Sequence, residues 1–247
     1  MAEDKVVLVG VDGSPESLGA VDWAVARAAR SGWRVHILCA YSLPSFTTAS
    51  LDGGYAALDD TAIRSGAQAV VDEAVTRAQG KGVTVTSSLE TGDPAGVLVD
   101  LSDEATLAVV GTRGGGGFAD RLLGTVSSAL PAHAHCPTVV VPRHSEGAEY
   151  TPVGRIVVGV DGSESARKAL RWAVKEAEVW GAELTAIAAV PMASGAGALA
   201  WLPAAVDREQ VLTDVRSGLD RAVAAAVEGH SGVTVRRHAL DGNAAQL

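Results

Sequence analysis

The chain has few cysteines and no long apolar run, and both shortages restrict where it can act. Its two cysteines, Cys39 and Cys136, are far apart and suggest no disulfide framework. No stretch approaches the ~18 consecutive apolar residues that a membrane-spanning helix needs. The N-terminus, MAEDKVVLVGVDGS, has two acids before its first lysine and lacks the apolar core of a signal peptide. We therefore expect a cytoplasmic protein that does not enter a membrane.

Positive charge is also scarce. Asp and Glu number 29 against 20 Lys and Arg, the formal net charge is −9, and only four residues are lysines. A nucleic-acid surface or an anionic membrane surface would require a clustered basic face, so we expect neither partner. No lysine lies in the glycine-rich stretch VVGTRGGGGFADRLLGT, residues 109–125. That stretch therefore lacks the GxxxxGK[ST] pattern of a Walker loop.

The sequence contains an internal repeat. Residues 5–35, KVVLVGVDGSPESLGAVDWAVARAARSGWRV, return as RIVVGVDGSESARKALRWAVKEAEVWGAEL at 155–184, and Asp12 has its counterpart in Asp161, 149 positions later. This period is far longer than that of a solenoid repeat and indicates a duplicated domain. A length of 247 residues, 47% of them hydrophobic, is enough for two cores. The predicted organisation is a domain over 1–143, a linker over 144–154 and a domain over 155–247.

Strand and helix patterns alternate within each copy. Continuous β-branched runs such as VVLVGV (6–11) are typical of strands buried on both faces. The alternation predicts an α/β fold with a mostly parallel sheet covered by helices on both sides. The predicted strands of the first copy cover residues 6–11, 34–41, 83–90, 106–112 and 138–142, and the third strand of the second copy covers 233–240.

The second copy has no counterpart to residues 98–142. We therefore expect a second sheet without a fourth and a fifth strand. One edge of its first strand would then expose backbone donors and acceptors. That edge would be covered by another chain, by the first copy or by further residues.

The VDGS turn and the glycine-rich stretch both follow predicted strands. Ligands of an open parallel sheet bind outside the carboxyl ends of strands, where the strand order reverses. If the first and fourth strands are neighbours, these two segments flank one crevice. Asp12, which only accepts hydrogen bonds when ionised, suits ribose hydroxyls or a metal ion there. Arg113 or Arg121 would supply positive charge.

The spacing of the glycines predicts a phosphate site. Gly111, Gly114 and Gly124 would let backbone N–H groups converge on an anion without obstruction by side chains. Thr125 is the expected N-cap of the next helix, whose N-terminus would carry partial positive charge. The hydroxyls of Thr125 and Ser127 would add donors.

The same residues allow other interpretations. The first strand is not followed by a GxGxxG dinucleotide fingerprint, and the chain has no GxSxG elbow or kinase-like set of metal ligands and base. A run of glycines is also a linker signal, so a surface loop stays open as an alternative. His133, His135 and Cys136 have the look of a metal cluster, but a further ligand is missing, and a helix end is the preferred interpretation.

Three segments together resemble the universal stress protein family. They are VGVDGS at 9–14, Gly-x2-Gly-x9-Gly-Thr over 111–125, and HAHCP at 133–137 followed by the last predicted strand. The resemblance covers the first copy and the first two-thirds of the second, and it points to the tandem-domain, ATP-binding branch. It implies two doubly wound open parallel sheets of strand order 3-2-1-4-5, the adenine nucleotide alpha hydrolase-like arrangement.

The resemblance also implies a binding site for ATP, with Mg²⁺ as a candidate companion. Asp12 would meet the ribose and adenine region, backbone at Ala40 would line the adenine pocket, and the long glycine motif would hold the phosphates. In the second copy, Asp161 and Ala189 match only the adenine half. The candidate binding residues are Val11, Asp12, Gly13, Ser14, Ala40, Gly111, Thr112, Arg113, Gly114, Gly117, Gly124, Thr125, Val126, Ser127, Asp161 and Ala189.

These features favour an ATP-binding, stress-response regulatory protein without efficient catalysis. A slow ATPase or self-phosphorylating enzyme is one alternative. An interaction scaffold that never uses nucleotide is another. The resemblance further implies that the two copies pack as a pseudo-dimer within the chain and that the chain forms a homodimer.

Overall fold

A computed structural model describes residues 5–42, 60–114, 123–143, 152–191 and 208–244. The chain divides into two compact units, Met1–Tyr150 and Thr151–Leu247. Each unit is an alternation of strands and helices with its own sheet. Among the helices of the described residues, none combines the length and apolar character that a bilayer crossing requires.

The first unit is built on a five-stranded parallel sheet. The order of strands is β3-β2-β1-β4-β5, which confirms the predicted topology and places β1 beside β4. Its elements are β1 (Val6–Gly10), α1 (Pro15–Ser31), β2 (Arg34–Tyr41), α2 (Asp60–Ala78), β3 (Val85–Thr91), α3 (Pro94–Leu101), β4 (Leu107–Gly111), α4 (Thr125–His133) and β5 (Thr138–Val141).

The continuous apolar runs of β1 and β4 are explained by burial on both faces. Val7 and Val9 are fully buried on one face of β1. On the other face, Leu8 joins a cluster with Leu98 of α3 and Leu130 of α4. A strand with helices on both sides has no solvent-facing positions, and so its sequence does not alternate.

Helix α1 begins and ends at residues that act as local signals. Ser14 is the N-cap, and its hydroxyl accepts the Ser17 N–H at 3.2 Å. Pro15 occupies the first helical position, where its missing N–H costs nothing. Gly32 ends the helix with φ of 65°, a left-handed conformation that favours glycine. The turn before the helix also needs a glycine, because Gly13 has φ of 79°.

The second unit repeats this architecture with three strands. It comprises β6 (Arg155–Gly159), α5 (Glu164–Trp180), β7 (Glu183–Val190), α6 (Arg208–Ala226) and β8 (Val235–Asp241), in a parallel sheet of order β6-β7-β8. The caps of α5 are again a serine and a glycine, Ser163 and Gly181. No strand within the described residues lies beside the outer edge of β6, and Val157 on that strand is 65% exposed.

Close packing at Gly111 generates a first prediction. A Cβ at Gly111 would lie 2.7 Å from the carbonyl carbon of Glu16 in α1, a contact with backbone that cannot turn aside. Gly111→Ala should therefore lower the free energy of unfolding in urea by about 1–3 kcal/mol. Gly19→Ala is the control, because Gly19 lies within α1 with open space around it. That variant should gain about 0.5–1 kcal/mol. Equal effects of the two variants would contradict the packing argument.

A second prediction concerns His36 on β2, whose ring bridges to β3. Its nitrogens lie 2.9 Å from Thr86 Oγ1 and 3.0 Å from Ser88 Oγ. Burial lowers the pKa of His36, and the positive charge of Arg34 acts in the same direction. The unfolded chain, in which the histidine pKa is about 6.5, then binds the proton more readily than the folded chain. Stability should therefore fall as the pH drops below about 6.5.

Urea unfolding at a series of pH values from 7.5 to 5 tests this expectation. The loss of stability towards low pH should be smaller in His36→Gln than in the unmodified chain, because glutamine takes up no proton. Parallel pH curves for the two proteins would show that His36 does not contribute.

Candidate functional site

A cavity of about 320 Å³ opens at the carboxyl ends of β1 and β4. Ten of the predicted site residues line it: Val11, Asp12, Ala40, Gly111, Arg113, Gly114, Gly124, Thr125, Val126 and Ser127. The two segments that the sequence placed on either side of one crevice therefore do meet. Ligands of parallel α/β sheets bind at such a reversal of strand order, here between β1 and β4.

The other predicted residues either do not line the cavity or lie outside the described residues. Gly13, Ser14 and Thr112 do not line the cavity. Gly13 and Thr112 are sequence neighbours of lining residues, and Ser14 donates hydrogen bonds to Asp12, which does line it. Gly117 lies outside the described residues, as does Arg121. Asp161 and Ala189 belong to the second unit.

Six residues of the lining were missed by the sequence analysis: Gly10, Ser17, Leu38, Pro94, Leu98 and Val110. Most are apolar residues whose patterns also fit the core, so nothing marks them as part of a cavity. Pro94 had a usable signal. It follows Asp93, the N-cap of α3, whose carboxylate accepts the Gly96 N–H at 2.9 Å. A strand-to-helix turn with such a cap leaves the same edge of the sheet as the VDGS turn.

One wall of the cavity combines apolar side chains with a backbone edge. The ladder between β1 and β2 ends at the pair Gly10–Leu38, followed by a bond of 2.9 Å from the Val11 N–H to the Leu38 carbonyl. Because backbone groups alternate between the two neighbours of a strand, those of Ala40 face the same side as those of Leu38. Within the described residues, no ladder bond to β1 follows for Ala40. Its donor and acceptor are therefore turned towards the cavity.

Asp12 is held at the opposite side by the start of α1. Its Oδ1 accepts the Ser14 N–H at 3.1 Å and the Ser14 hydroxyl at 2.6 Å. The backbone of Asp12 is fixed as well, since its N–H donates to Ser17 Oγ at 3.3 Å. The carboxylate charge also reaches the interior: burial raises the pKa of the Cys39 thiol, and the negative charge of Asp12 raises it further. Asp12 is thus a preset acceptor at the cavity rim.

Ser127 joins Thr112 and Gly124, which lie on either side of the undescribed part of the glycine motif. The Gly124 N–H lies 2.9 Å from both the Thr112 carbonyl and Ser127 Oγ. The Ser127 hydroxyl lies 2.7 Å from the Thr112 carbonyl and 3.2 Å from the Gly124 carbonyl. Ser127 is 2% exposed, so its single hydroxyl proton is used inside the protein. Donation of this hydroxyl to a ligand stays a prediction, and it would require Ser127 to give up its bond to the Thr112 carbonyl.

Helix α4 begins one residue away from the predicted cap. Gly124, with φ of −81°, is the N-cap, and Thr125 is the first helical residue. The first N–H groups of a helix have no acceptor within the helix, and they carry its partial positive charge. Thr125 and Val126 place this end of α4 in the cavity lining, together with the guanidinium-bearing residue Arg113. This side of the cavity suits an anion.

The three spaced glycines have different surroundings. Gly111 leaves space for the backbone of Glu16, so its missing side chain is accounted for by packing. A Cβ at Gly124 would lie 3.6 Å from Arg113 Cα and from the Thr112 carbonyl oxygen, an ordinary contact distance. A Cβ at Gly114 would meet the carboxylate of Asp12. One spacing pattern thus covers three separate structural requirements.

The second unit reproduces only the turn that follows its first strand. The Val160 N–H donates to the Ile187 carbonyl at 2.8 Å, as the Val11 N–H does to the Leu38 carbonyl. Asp161 Oδ1 accepts the Ser163 N–H at 2.9 Å, and hydrogen bonds from Ser163 lower the pKa of this carboxylate. Nothing in this unit corresponds to the glycine motif among the described residues. In the same part of the chain, no group of three or more His, Cys, Asp and Glu residues could hold a metal ion.

Comparison with known proteins gives a consistent family. A sequence model of the universal stress protein family matches residues 5–142 and 152–247. The universal stress protein Rv2623 of Mycobacterium tuberculosis is 33% identical over 192 residues, covering 73% of this chain and 62% of that protein. The chain therefore spans less than two thirds of the length of this relative.

Solved structures include relatives of the same family. A universal stress protein from Archaeoglobus fulgidus superposes with a TM-score of 0.67 at 20% identity, covering 98% of this chain and 78% of that chain. This likeness shows the fold. A universal stress protein solved in complex with cAMP is 32% identical, with a TM-score of 0.42, and covers 56% of this chain and 95% of that chain.

The bonds of Ser127 generate a third prediction. Ser127→Ala removes a buried hydroxyl that joins Thr112 to Gly124, and it should lower the free energy of unfolding by about 1–2 kcal/mol. It should also speed hydrogen exchange at the Gly124 amide. The matched control is Ser128→Ala, because the Ser128 hydroxyl bonds the Gly124 carbonyl at 2.8 Å on the exposed side of α4. That variant should change stability by less than about 0.5 kcal/mol. If both serines prove equally dispensable, Ser127 does not hold the motif together.

Proposed function

The chain belongs to the universal stress protein family, and we propose that its first unit binds an adenine nucleotide, with ATP as the ligand. In this proposal the protein is a nucleotide-dependent regulator in a stress response and lacks efficient catalysis. The observation that carries the proposal is that three kinds of group line one cavity. They are apolar residues beside a backbone edge, the carboxylate-bearing residue Asp12, and the N-terminus of α4.

The base would lie against the apolar wall of the cavity. Leu38, Leu98 and Pro94 offer apolar surface to a flat ring. The backbone edge at Ala40 presents an N–H donor and a carbonyl acceptor side by side. Adenine carries an exocyclic amino donor next to ring-nitrogen acceptors, which is the complement of such an edge. An apolar wall with a few placed polar groups is also the usual composition of small-molecule sites.

The sugar would meet the carboxylate of Asp12. Asp12 lies between the strand edge and the glycine motif, and an ionised carboxylate offers only acceptors. Its bonds to Ser14 fix the carboxylate before any ligand arrives. A ribose with two adjacent hydroxyl donors fits such a group, and charge-assisted hydrogen bonds of this type are the stronger ones.

The phosphates would lie at the N-terminus of α4. The N-terminus of α4, at Thr125 and Val126, lines the same cavity as Arg113, whose formal positive charge would add to the partial charge of the helix end. Helix N-termini of this kind stabilise phosphate groups through their N–H donors and the helix dipole. Mg²⁺ would accompany the triphosphate of ATP, with phosphate oxygens among its ligands.

Regulation by binding requires that the ligand prefer one conformation of the protein over another. We propose that ATP favours the arrangement in which Ser127 joins Thr112 to Gly124, and that it thereby changes which partner the protein contacts. Location in the cytoplasm, pairing of the two copies within the chain and formation of a homodimer are further parts of the proposal.

Isothermal titration with ATP tests the site and gives a fourth prediction. Asp12→Ala should weaken ATP binding by about tenfold or more, because a charge-assisted bond to a ligand hydroxyl is lost. Asp72→Ala is the control, because it removes an equal charge from an exposed position on α2. The described hydrogen bonds of Asp72 go to Gln68 and Thr76 of the same helix. Tight binding of ATP that survives Asp12→Ala unchanged would show that the nucleotide binds elsewhere.

A further inference from the structure

Gly114 stands where a side chain would displace the carboxylate of Asp12. A Cβ built on Gly114 would overlap Asp12 Oδ2, and the next nearest atoms, Asp12 Cγ at 3.2 Å and Oδ1 at 4.0 Å, belong to the same residue. Gly114 is not among the glycines with positive φ, so its φ does not by itself call for glycine. The need for glycine at this position therefore comes from a single neighbouring side chain.

The carboxylate of Asp12 cannot give way without loss. Oδ1 accepts both the N–H and the hydroxyl of Ser14, at 3.1 Å and 2.6 Å. Ser14 is 6% exposed and is itself fixed as the N-cap of α1, where its hydroxyl also accepts the Ser17 N–H. With Oδ1 anchored to Ser14, Oδ2 must point towards Gly114. An alanine there would turn the carboxylate away and break its bonds to Ser14.

We propose that Gly114 is a positioning residue for Asp12 and that its missing side chain makes room for this carboxylate rather than for phosphate oxygens. Gly114 then acts on the ligand through Asp12. This assignment differs from the role that the glycine spacing alone suggests, in which each glycine clears a path for phosphate. The ligand-binding consequence, that Gly114 controls recognition of the ribose, rests on the proposed function.

The other two spaced glycines provide a contrast within the same motif. Gly111 leaves space for backbone of Glu16, and a Cβ at Gly124 would make only ordinary contacts of 3.6–3.7 Å with Arg113, Thr112 and Ser127. Neither of the two would touch Asp12. Substitution of Gly124 should therefore leave the carboxylate of Asp12 in place, and substitution of Gly114 should not.

A double-mutant cycle in urea unfolding tests the contact without any ligand, and this is the fifth prediction. Gly114→Ala should lower the unfolding midpoint of the full chain, because the Asp12 bonds to Ser14 are lost. In an Asp12→Ala background the same substitution should cause no loss, since the overlapping carboxylate is gone. Equal effects of Gly114→Ala in the two backgrounds, whether a loss or none, would overturn the proposal.

Binding of ATP and of 2′,3′-dideoxy-ATP adds a readout that a purely structural role would not move. The unmodified chain should prefer ATP by about tenfold or more, and both Asp12→Ala and Gly114→Ala should abolish that preference. Gly124→Ala should retain the preference, whatever its effect on overall affinity. A Gly114→Ala variant that still discriminates as the unmodified chain does would overturn the proposal. If the unmodified chain binds neither nucleotide, the proposed function fails, and the unfolding cycle alone decides the role of Gly114.

Discussion

The cavity depends on the close approach of α1 to the end of β4. Gly111 lets the backbone of Glu16 come within 2.8 Å of where a side chain would begin. Helix α1 follows β1 after a short turn, so the contact between Glu16 and Gly111 holds the carboxyl end of β1 close to that of β4. The hydrogen-bonded pairing of the two strands holds them together along the rest of their length. A larger residue at position 111 would push the helix from the sheet and separate Asp12 from the glycine motif.

Above this contact, short polar bonds connect the two segments that meet at the cavity. The Ser14 hydroxyl caps α1, bonds Asp12 and lies 3.4 Å from the Arg113 carbonyl. The Ser127 hydroxyl joins two described parts of the glycine motif, because it bonds both the Thr112 carbonyl and the Gly124 N–H. Two buried serines thus hold the described residues on either side of the cavity in one arrangement, which would otherwise cost conformational entropy to form. A site whose groups are held in place before binding loses less entropy when the ligand arrives.

Local signals in the sequence were enough to predict the order of the elements, whereas the strand neighbours were implied by the family resemblance. Contacts between distant residues were not predicted. Ser14, Pro15 and Gly32 mark the ends of α1 by chemistry confined to the turn itself. The start of α4 was misplaced by one residue, because Thr125 is a good cap by type, whereas Gly124 holds the capping position through its bond to Ser127. Leu98 could not be assigned to the cavity, because apolar residues that line a cavity have the same periodicity as those that fill a core.

The glycines show the limit of sequence reasoning most clearly. Their spacing identifies a family and a cavity, but the spacing does not tell what each glycine avoids. Backbone lies beside Gly111, a carboxylate beside Gly114, and ordinary contact distances surround Gly124. Where the neighbour is backbone, as at Gly111, glycine is needed for the fold itself. Where the neighbour is the end of a side chain, as at Gly114, glycine is needed to keep that side chain in its place. Gly111 is therefore a requirement of folding, and Gly114 is a requirement of whatever Asp12 does.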